Sequence, residues 1–155
     1  MKKTVLLLLL CGAVSIGAYA QRAGSNYKTA LGVKVWDGAG ISFKTFVIPR
    51  NALELIGYFN KNGTRITGLY EIHRNIKGAG GLKWYAGPGA HIALYSYKGY
   101  YGDKAIAGVD GVLGLDYKIN KAPLNLSLDW QPSFEFADNR GFEGGWFGLG
   151  IRYTF

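Results

Sequence analysis

From residue 27 onward, apolar and polar side chains alternate with a period of two, the spacing of a strand with one apolar and one polar face. The run is clearest at the C-terminus, where Phe147, Leu149, Ile151, Tyr153 and Phe155 fall on one face and Trp146, Gly148, Gly150, Arg152 and Thr154 on the other. Before it, Leu124, Leu126, Leu128, Trp130, Phe134 and Phe136 oppose Asn125, Ser127, Asp129, Gln131, Ser133 and Glu135. The turn-rich DNRGFEGG between these runs makes them a hairpin. The same period predicts further strands at 27–36, 40–48, 52–60, 64–74, 81–97 and 105–119, giving eight. Their connections carry turn chemistry: DGAG (37–40), IPRN (48–51), NKNG (60–63), RNIKGAG (74–80), YKGYYGDK (97–104) and NKAP (120–123). Links this short mean antiparallel neighbours, because a parallel pair needs a long crossover. Pro88 and Pro132 fall inside strand runs, where each removes a ladder donor, so a bulge or a break in pairing is expected at both.

An eight-stranded meander hides its edges by closing into a barrel. Two kinds fit the alternation: a soluble lipocalin-like small-molecule carrier with an apolar cavity, and a membrane barrel with an apolar exterior and a polar, filled lumen. Side-chain size separates them. The polar face mixes charges with Ala30, Gly32, Gly87, Gly89, Ala93, Gly114, Ser127, Ser133, Gly148 and Gly150, the small residues that a narrow packed interior requires. The apolar face carries Val, Leu and Ile, with aromatics toward the strand ends at Tyr27, Trp84, Tyr117, Phe136, Tyr153 and Phe155, as in interfacial girdles. The expectation is an all-β fold, an eight-stranded antiparallel up-and-down transmembrane β-barrel.

Composition narrows the picture further. With 24 glycines in 155 residues, 15% aromatic and 18% charged side chains and only 4 prolines, neither disorder nor a collagen-like chain fits. Residues 1–20 have a basic start at Lys2 and Lys3, an apolar stretch from Val5 to Ile16, and a small-x-small end at Ala18 and Ala20 before Gln21. They read as a secretory signal peptide ahead of one barrel domain, 21–155. The stretch is interrupted by Gly12, Ser15 and Gly17 and falls short of the ~20 residues of a spanning helix. Lipid attachment at Cys11 is disfavoured by Leu10, where a small residue is wanted. Losing 20 of 155 residues leaves 135 without cysteine, and losing Lys2 and Lys3 lowers the net charge from +8 to +6. A repeat of about 16 residues fits eight strands with short turns into that length and leaves no room for a second domain.

Phe155, with Tyr153, Ile151, Leu149 and Phe147 behind it, looks like the C-terminal assembly signal of bacterial outer-membrane proteins. Together with NALE (51–54), WYAGPGAH (84–91), VDGVLGLDYK (109–118), PLNLSLDWQPSF (123–134) and GLGIRYTF (148–155), it makes the chain resemble the small eight-stranded outer-membrane barrels, in particular short Bacteroidetes-type members. The resemblance implies a secreted precursor, insertion by the barrel assembly machinery, a periplasmic N-terminus and contact with outer-membrane lipid and lipopolysaccharide. It implies no activity, since many members have none established. DGAG, NKNG, YKGYYGDK and DNRGFEGG then face outward, and none is long enough for a lid or an adhesive crown.

Ionisable residues on the inward face need partners, because an unpaired buried charge is costly. Registers drawn from the turns set His91 opposite Asp110, Lys83 near Glu71 and Asp116, Lys44 diagonal to Glu54, and Arg152 diagonal to Asp129. The expected result is a polar network that plugs the lumen, with an ion path or proton-linked switch as the alternative. His73 and His91 raise a second alternative, a lipid-modifying barrel enzyme with a Ser and His pair. Such deacylases place Ser two residues after a His, yet His91-Ile92-Ala93 has none, and His73 has no serine or threonine within four residues. The expected function is therefore non-enzymatic, a structural or surface-interaction role through short outer loops. No cofactor or metal is expected: the mature chain lacks cysteine, and its two histidines lie 18 residues apart without a carboxylate at ligand spacing. GAGG (78–81) and GPG (87–89) precede no helix and carry no following Lys with Ser or Thr, so they are not phosphate loops. Basic residues are dispersed over turns at both ends among acidic ones, which argues against nucleic acid. They read first as a solvated rim, and the sharper alternative sets Lys61, Lys98, Lys104 and Arg140 on the outer rim against anionic glycolipid head groups. Lys98, Tyr100, Tyr101 and Lys104 form the candidate outer-loop contact, for interfacial anchoring first and for a surface glycan or envelope protein second.

Overall fold

The computed structural model describes residues 27–36, 38–61, 63–95, 104–136 and 141–155. The leader with Ala18, Ala20 and Gln21, and the loop with Lys98, Tyr100, Tyr101 and the side chain of Lys104, lie outside them. The strands are β1 (Thr29–Trp36), β2 (Gly38–Ile48), β3 (Asn51–Asn60), β4 (Gly63–Asn75), β5 (Leu82–Tyr95), β6 (Lys104–Lys118), β7 (Leu124–Trp130), β8 (Ser133–Glu135), β9 (Phe142–Glu143) and β10 (Phe147–Thr154). All ladders are antiparallel; β1 pairs with β10, and β5 pairs with both β4 and β6, which closes the sheet. These ten segments make eight walls. β7 and β8 both lie on β6 in one register, Leu113 opposite Trp130 and Asp110 opposite Ser133, and β9 follows β8 as β10 follows β7. The result is a closed, eight-stranded, antiparallel up-and-down barrel. Where first and last strands meet, Thr29 and Phe155 exchange backbone hydrogen bonds of 3.0 and 2.9 Å.

Neither proline shifts the register. Pro132 separates β7 from β8, but its carbonyl accepts the Gly111 N–H at 2.7 Å and holds the wall to β6. Pro88 stays opposite Gly111, while on the β4 side pairing lapses between Leu69–Gly89 and Ile72–Ala86. A missing N–H removes one bond, and the flanking pairs fix the alignment. The actual register shift lies between Phe46 and Ile48 in β2, just ahead of the Pro49-Arg50 turn. It lets Val47 and Ile48 both face outward after Phe46 has turned in.

The alternation sorts side chains in the inverse of a water-soluble fold. Outward-facing Val33, Ile41, Leu55, Ile66, Ile92, Leu113, Leu128 and Leu149 are all at least half exposed, whereas Lys34, Lys44, Glu71 and Arg152 have 0% exposure. Exposed aromatics gather at both ends of the walls: Trp84, Tyr117 and Tyr153 beside the chain termini, and Trp36, Phe59, Trp130, Phe134, Phe136, Phe142 and Phe147 at the opposite, loop end. There the Trp36 and Trp130 indoles donate to the carbonyls of Gly145 and Gly144, at 2.9 and 2.8 Å. Tyr27 does not join the outer girdle. A bend at Lys28 breaks the alternation, so Tyr27 turns inward, packs edge-on against Phe46 at 5.2 Å and donates to Asp116 Oδ2 at 3.0 Å.

The lumen is layered. Tyr27, Ala30, Phe46 and Ala52 form an apolar floor at the termini end. Ile56, Tyr58, Leu69, Tyr85 and Val112, with Trp146 packed on them, form a collar nearer the loops. Small residues make room for large ones: a Cβ at Gly114 would stand 2.6 Å from Asp129 Cβ and 2.7 Å from Tyr85 Cζ. A Gly114→Leu variant is therefore expected to lose about 1–3 kcal/mol by overpacking, read as a lower thermal midpoint. Gly68→Leu, where an added Cβ meets nothing within 4 Å, is expected to leave the midpoint unchanged.

Candidate functional site

Between floor and collar sits a belt of charge centred on Arg152, which β10 aims into the lumen. Each of its three guanidinium nitrogens donates to a lumen partner. Nε donates to Ser42 Oγ at 2.6 Å, Nη1 to Ser127 Oγ at 2.8 Å and Asn125 Oδ1 at 3.1 Å, and Nη2 to Glu54 Oε1. Glu54 also accepts from Ser42 at 2.6 Å and from Lys34 at 3.3 Å. Lys34 bridges onward to Asp129 at 2.6 Å, and Asp129 accepts from Tyr85 at 2.5 Å and Gln131 at 2.6 Å. Lys44 stands 2.8 Å from Glu71, off the line of a hydrogen bond, and 3.5 Å from Asp116, with its ammonium 4.4 Å from the centre of the Tyr85 ring. His73 stacks on Tyr85 at 4.9 Å and packs against Phe46 at 4.8 Å.

Four cations, Lys34, Lys44, Lys83 and Arg152, thus share the belt with four carboxylates, Glu54, Glu71, Asp116 and Asp129. The formal charges cancel. Each ion is removed from water, and mutual pairing with supporting hydrogen bonds offsets that cost. A second polar cluster lies beyond the collar. Arg65 donates to Asp110 at 2.7 Å and to Thr67 at 3.2 Å and lies 4.3 Å from the Trp146 ring, while His91 Nδ1 is 2.9 Å from Asp110 and its Nε2 is 3.8 Å from Glu135. Among the described residues no group of three His, Cys, Asp or Glu side chains is placed to hold a metal ion.

The structure brings Lys44, Glu54, Glu71, Lys83, Asp116, Asp129 and Arg152 into the first belt, and His91 and Asp110 into the second cluster. Several partnerships differ from the hairpin registers. Lys44 is directly opposite Glu54 rather than diagonal to it, and Glu71 pairs with Lys44, whereas Lys83 stays beside Asp116, directly opposite it. His91 faces Gly108 across the ladder and reaches Asp110 along the strand, a shift of two residues from direct opposition. Arg152 faces Asn125, and Asp129 faces Gly148, so Arg152 and Asp129 are four residues out of register. Closure brings β3 near β10 across the lumen, so Glu54 takes Arg152 and leaves Asp129 to Lys34. Lys34, Ser42, Arg65, Tyr85, Gln131 and Glu135, none of them a candidate for the lumen network, complete it together with His73, which the sequence raised only for an enzyme. Strand parity carries the missing signal: Lys34 shares a face with Ala30, and Arg65 with Glu71 and His73.

The C-terminal residues Phe147, Leu149, Ile151 and Tyr153 lie on the outward face of β10, and Phe155 closes against Thr29. No protein-family model, curated protein or solved structure matches this chain.

Arg152→Met would strand Glu54 beside two lysines and remove four donated hydrogen bonds. It is expected to cost about 3–5 kcal/mol in equilibrium urea unfolding, and Arg152→Met with Glu54→Met to recover a large part of that loss.

Proposed function

We propose that this chain is a non-enzymatic integral outer-membrane β-barrel with a plugged lumen, acting as a rigid structural element that presents short loops at the surface. The observation that carries this reading is the inverted sorting of side chains. An apolar exterior exposed along every long wall, set between two aromatic ends, surrounds buried charges. In water that exterior is an unpartnered apolar surface far beyond the few hundred Å² usual for a soluble monomer. In a bilayer it is the expected contact face, and closure leaves no backbone edge to satisfy. A lipocalin-like carrier needs an apolar cavity, whereas this interior is a belt of cross-linked ions.

The resemblance of the leader and the C-terminal pattern to outer-membrane precursors supports that membrane, its assembly machinery and a periplasmic termini end. The loop end then meets the outer leaflet, lipopolysaccharide and any glycan or envelope partner. A non-catalytic role is supported by the two histidines: His73 is stacked between aromatic rings, and His91 is enclosed by Arg65, Asp110 and Glu135. Neither is placed where a membrane lipid would reach it.

The folded protein is expected to require detergent for extraction and to shift in gel mobility on boiling. Leu55→Arg, on the outward face at the middle of β3, should destabilise it by about 2–4 kcal/mol. In planar bilayers it should show no stable conductance steps and should leave the mass of lipid A unchanged. A detergent-free soluble monomer, a steady conductance or a lipid A mass change would each refute part of this reading.

A further inference from the structure

The apolar exterior is not uniform. Where β2 to β5 face outward, Phe43, Leu53, Leu55, Tyr70 and Pro88 surround a depression of about 600 Å³. Two features open it: Gly68, which carries no side chain into the space, and the lapse of pairing beside Pro88. Outward positions on β4 then run toward the termini end as Gly68, Tyr70, Ile72 and Arg74, about 7 Å apart at each step. They place in turn a notch, a hydroxyl, an apolar side chain and a cation. The hydroxyl of Tyr70 accepts from Asn51 Nδ2 at 2.5 Å, giving the groove a polar edge. Arg50 precedes Asn51, and its carbonyl accepts the His73 N–H at 2.7 Å, which fixes the turn beside Arg74.

Among the described residues, the exposed charged side chains at this end are all cationic. Arg50 and Arg74 are exposed, as are Lys28, Lys77 and Lys121 around the same rim. Among the described residues no acidic side chain lies on that rim. Asp116 and Glu71 point into the lumen and are paired there, and exposed Glu143 lies at the loop end. The guanidinium fork matches phosphate oxygens, and each cation at a membrane surface strengthens binding of an anionic head group.

We propose that this face is a binding site for an anionic glycerophospholipid of the leaflet at the termini end, with an acyl chain in the Gly68 groove, its ester region at Tyr70 and Asn51, and its phosphate on Arg50 and Arg74. The proposal rests on the membrane reading above and adds a lipid class and a location to it. A phospholipid with net negative charge is favoured over a zwitterionic one because the latter brings an ammonium group into the basic rim.

The test uses the full chain purified in detergent micelles, titrated with palmitoyl-oleoyl phosphatidylglycerol or the matching phosphatidylcholine and read by native mass spectrometry. Phosphatidylglycerol is expected to be held about tenfold more tightly. Arg50→Gln with Arg74→Gln should abolish that preference, and Arg50→Lys with Arg74→Lys should keep most of it. Gly68→Leu should weaken both lipids several-fold and leave the preference in place. Equal retention of the two lipids, a preference that survives the double Gln variant, or a dimer that covers the groove without bound lipid would overturn the proposal. A chain that stays soluble without detergent overturns both this site and the membrane reading; an inserted barrel without head-group preference overturns the site alone.

Discussion

A guanidinium with no water around it must have its charge met by neighbouring side chains, and the barrel is arranged to do that for Arg152. Ser42 comes from β2, Glu54 from β3, and Asn125 and Ser127 from β7, so one side chain on β10 ties together walls that are far apart in sequence. Glu54 passes the linkage to Lys34 and Lys44, which carry it to Asp129, Glu71 and Asp116. An eight-stranded interior is only wide enough to be filled by side chains, so these ions have each other in place of solvent. Removing one leaves its partner buried and unpaired, which costs more than the pair contributes.

The same constraint explains the other features of the interior. Glycine at 114 and 148 gives space to the Tyr85 ring and the Lys34 stem, and the apolar floor and collar separate the ionic belt from either end. With packing completed inside by polar groups, the outward side chains have no role in the protein core. They are free to be Val, Leu, Ile and aromatic residues along nearly every wall. In the membrane reading proposed above, a bilayer supplies the missing contact, and function lies at the rims and on the lipid face, where charge and shape vary.

Much of this architecture was legible in the chain because alternation is a local property. The strands, their antiparallel order, the closed barrel and the inward placement of Lys44, Glu54, Asp116 and Arg152 all follow from parity and turn spacing. The partnerships did not follow, because they depend on closure: nothing in a hairpin register brings Glu54 of β3 to Arg152 of β10. The parity of Lys34 and Arg65 places them inside, but near strand ends a cation reads equally well as a rim residue. At Pro88 and Pro132 the expected break in pairing occurs, as a lapse beside β4 and as the gap between β7 and β8, but the flanking ladders hold the register, and the shift falls ahead of the Pro49 turn. Tyr27 was drawn inward because the bend at Lys28 released it from the alternation and Asp116 offered its hydroxyl a partner.

The central claim is that water is excluded from the inner face and lipid covers the outer one. Spin labels placed singly at 52, 53, 55, 56, 58 and 59 along β3, in a barrel reconstituted into vesicles, test both halves through collision with dissolved oxygen and with a water-soluble nickel complex. The account predicts high oxygen and low nickel accessibility at positions 53, 55 and 59, and low accessibility to both at 52, 56 and 58. High nickel accessibility at the outward positions, or at the inward ones, would contradict it.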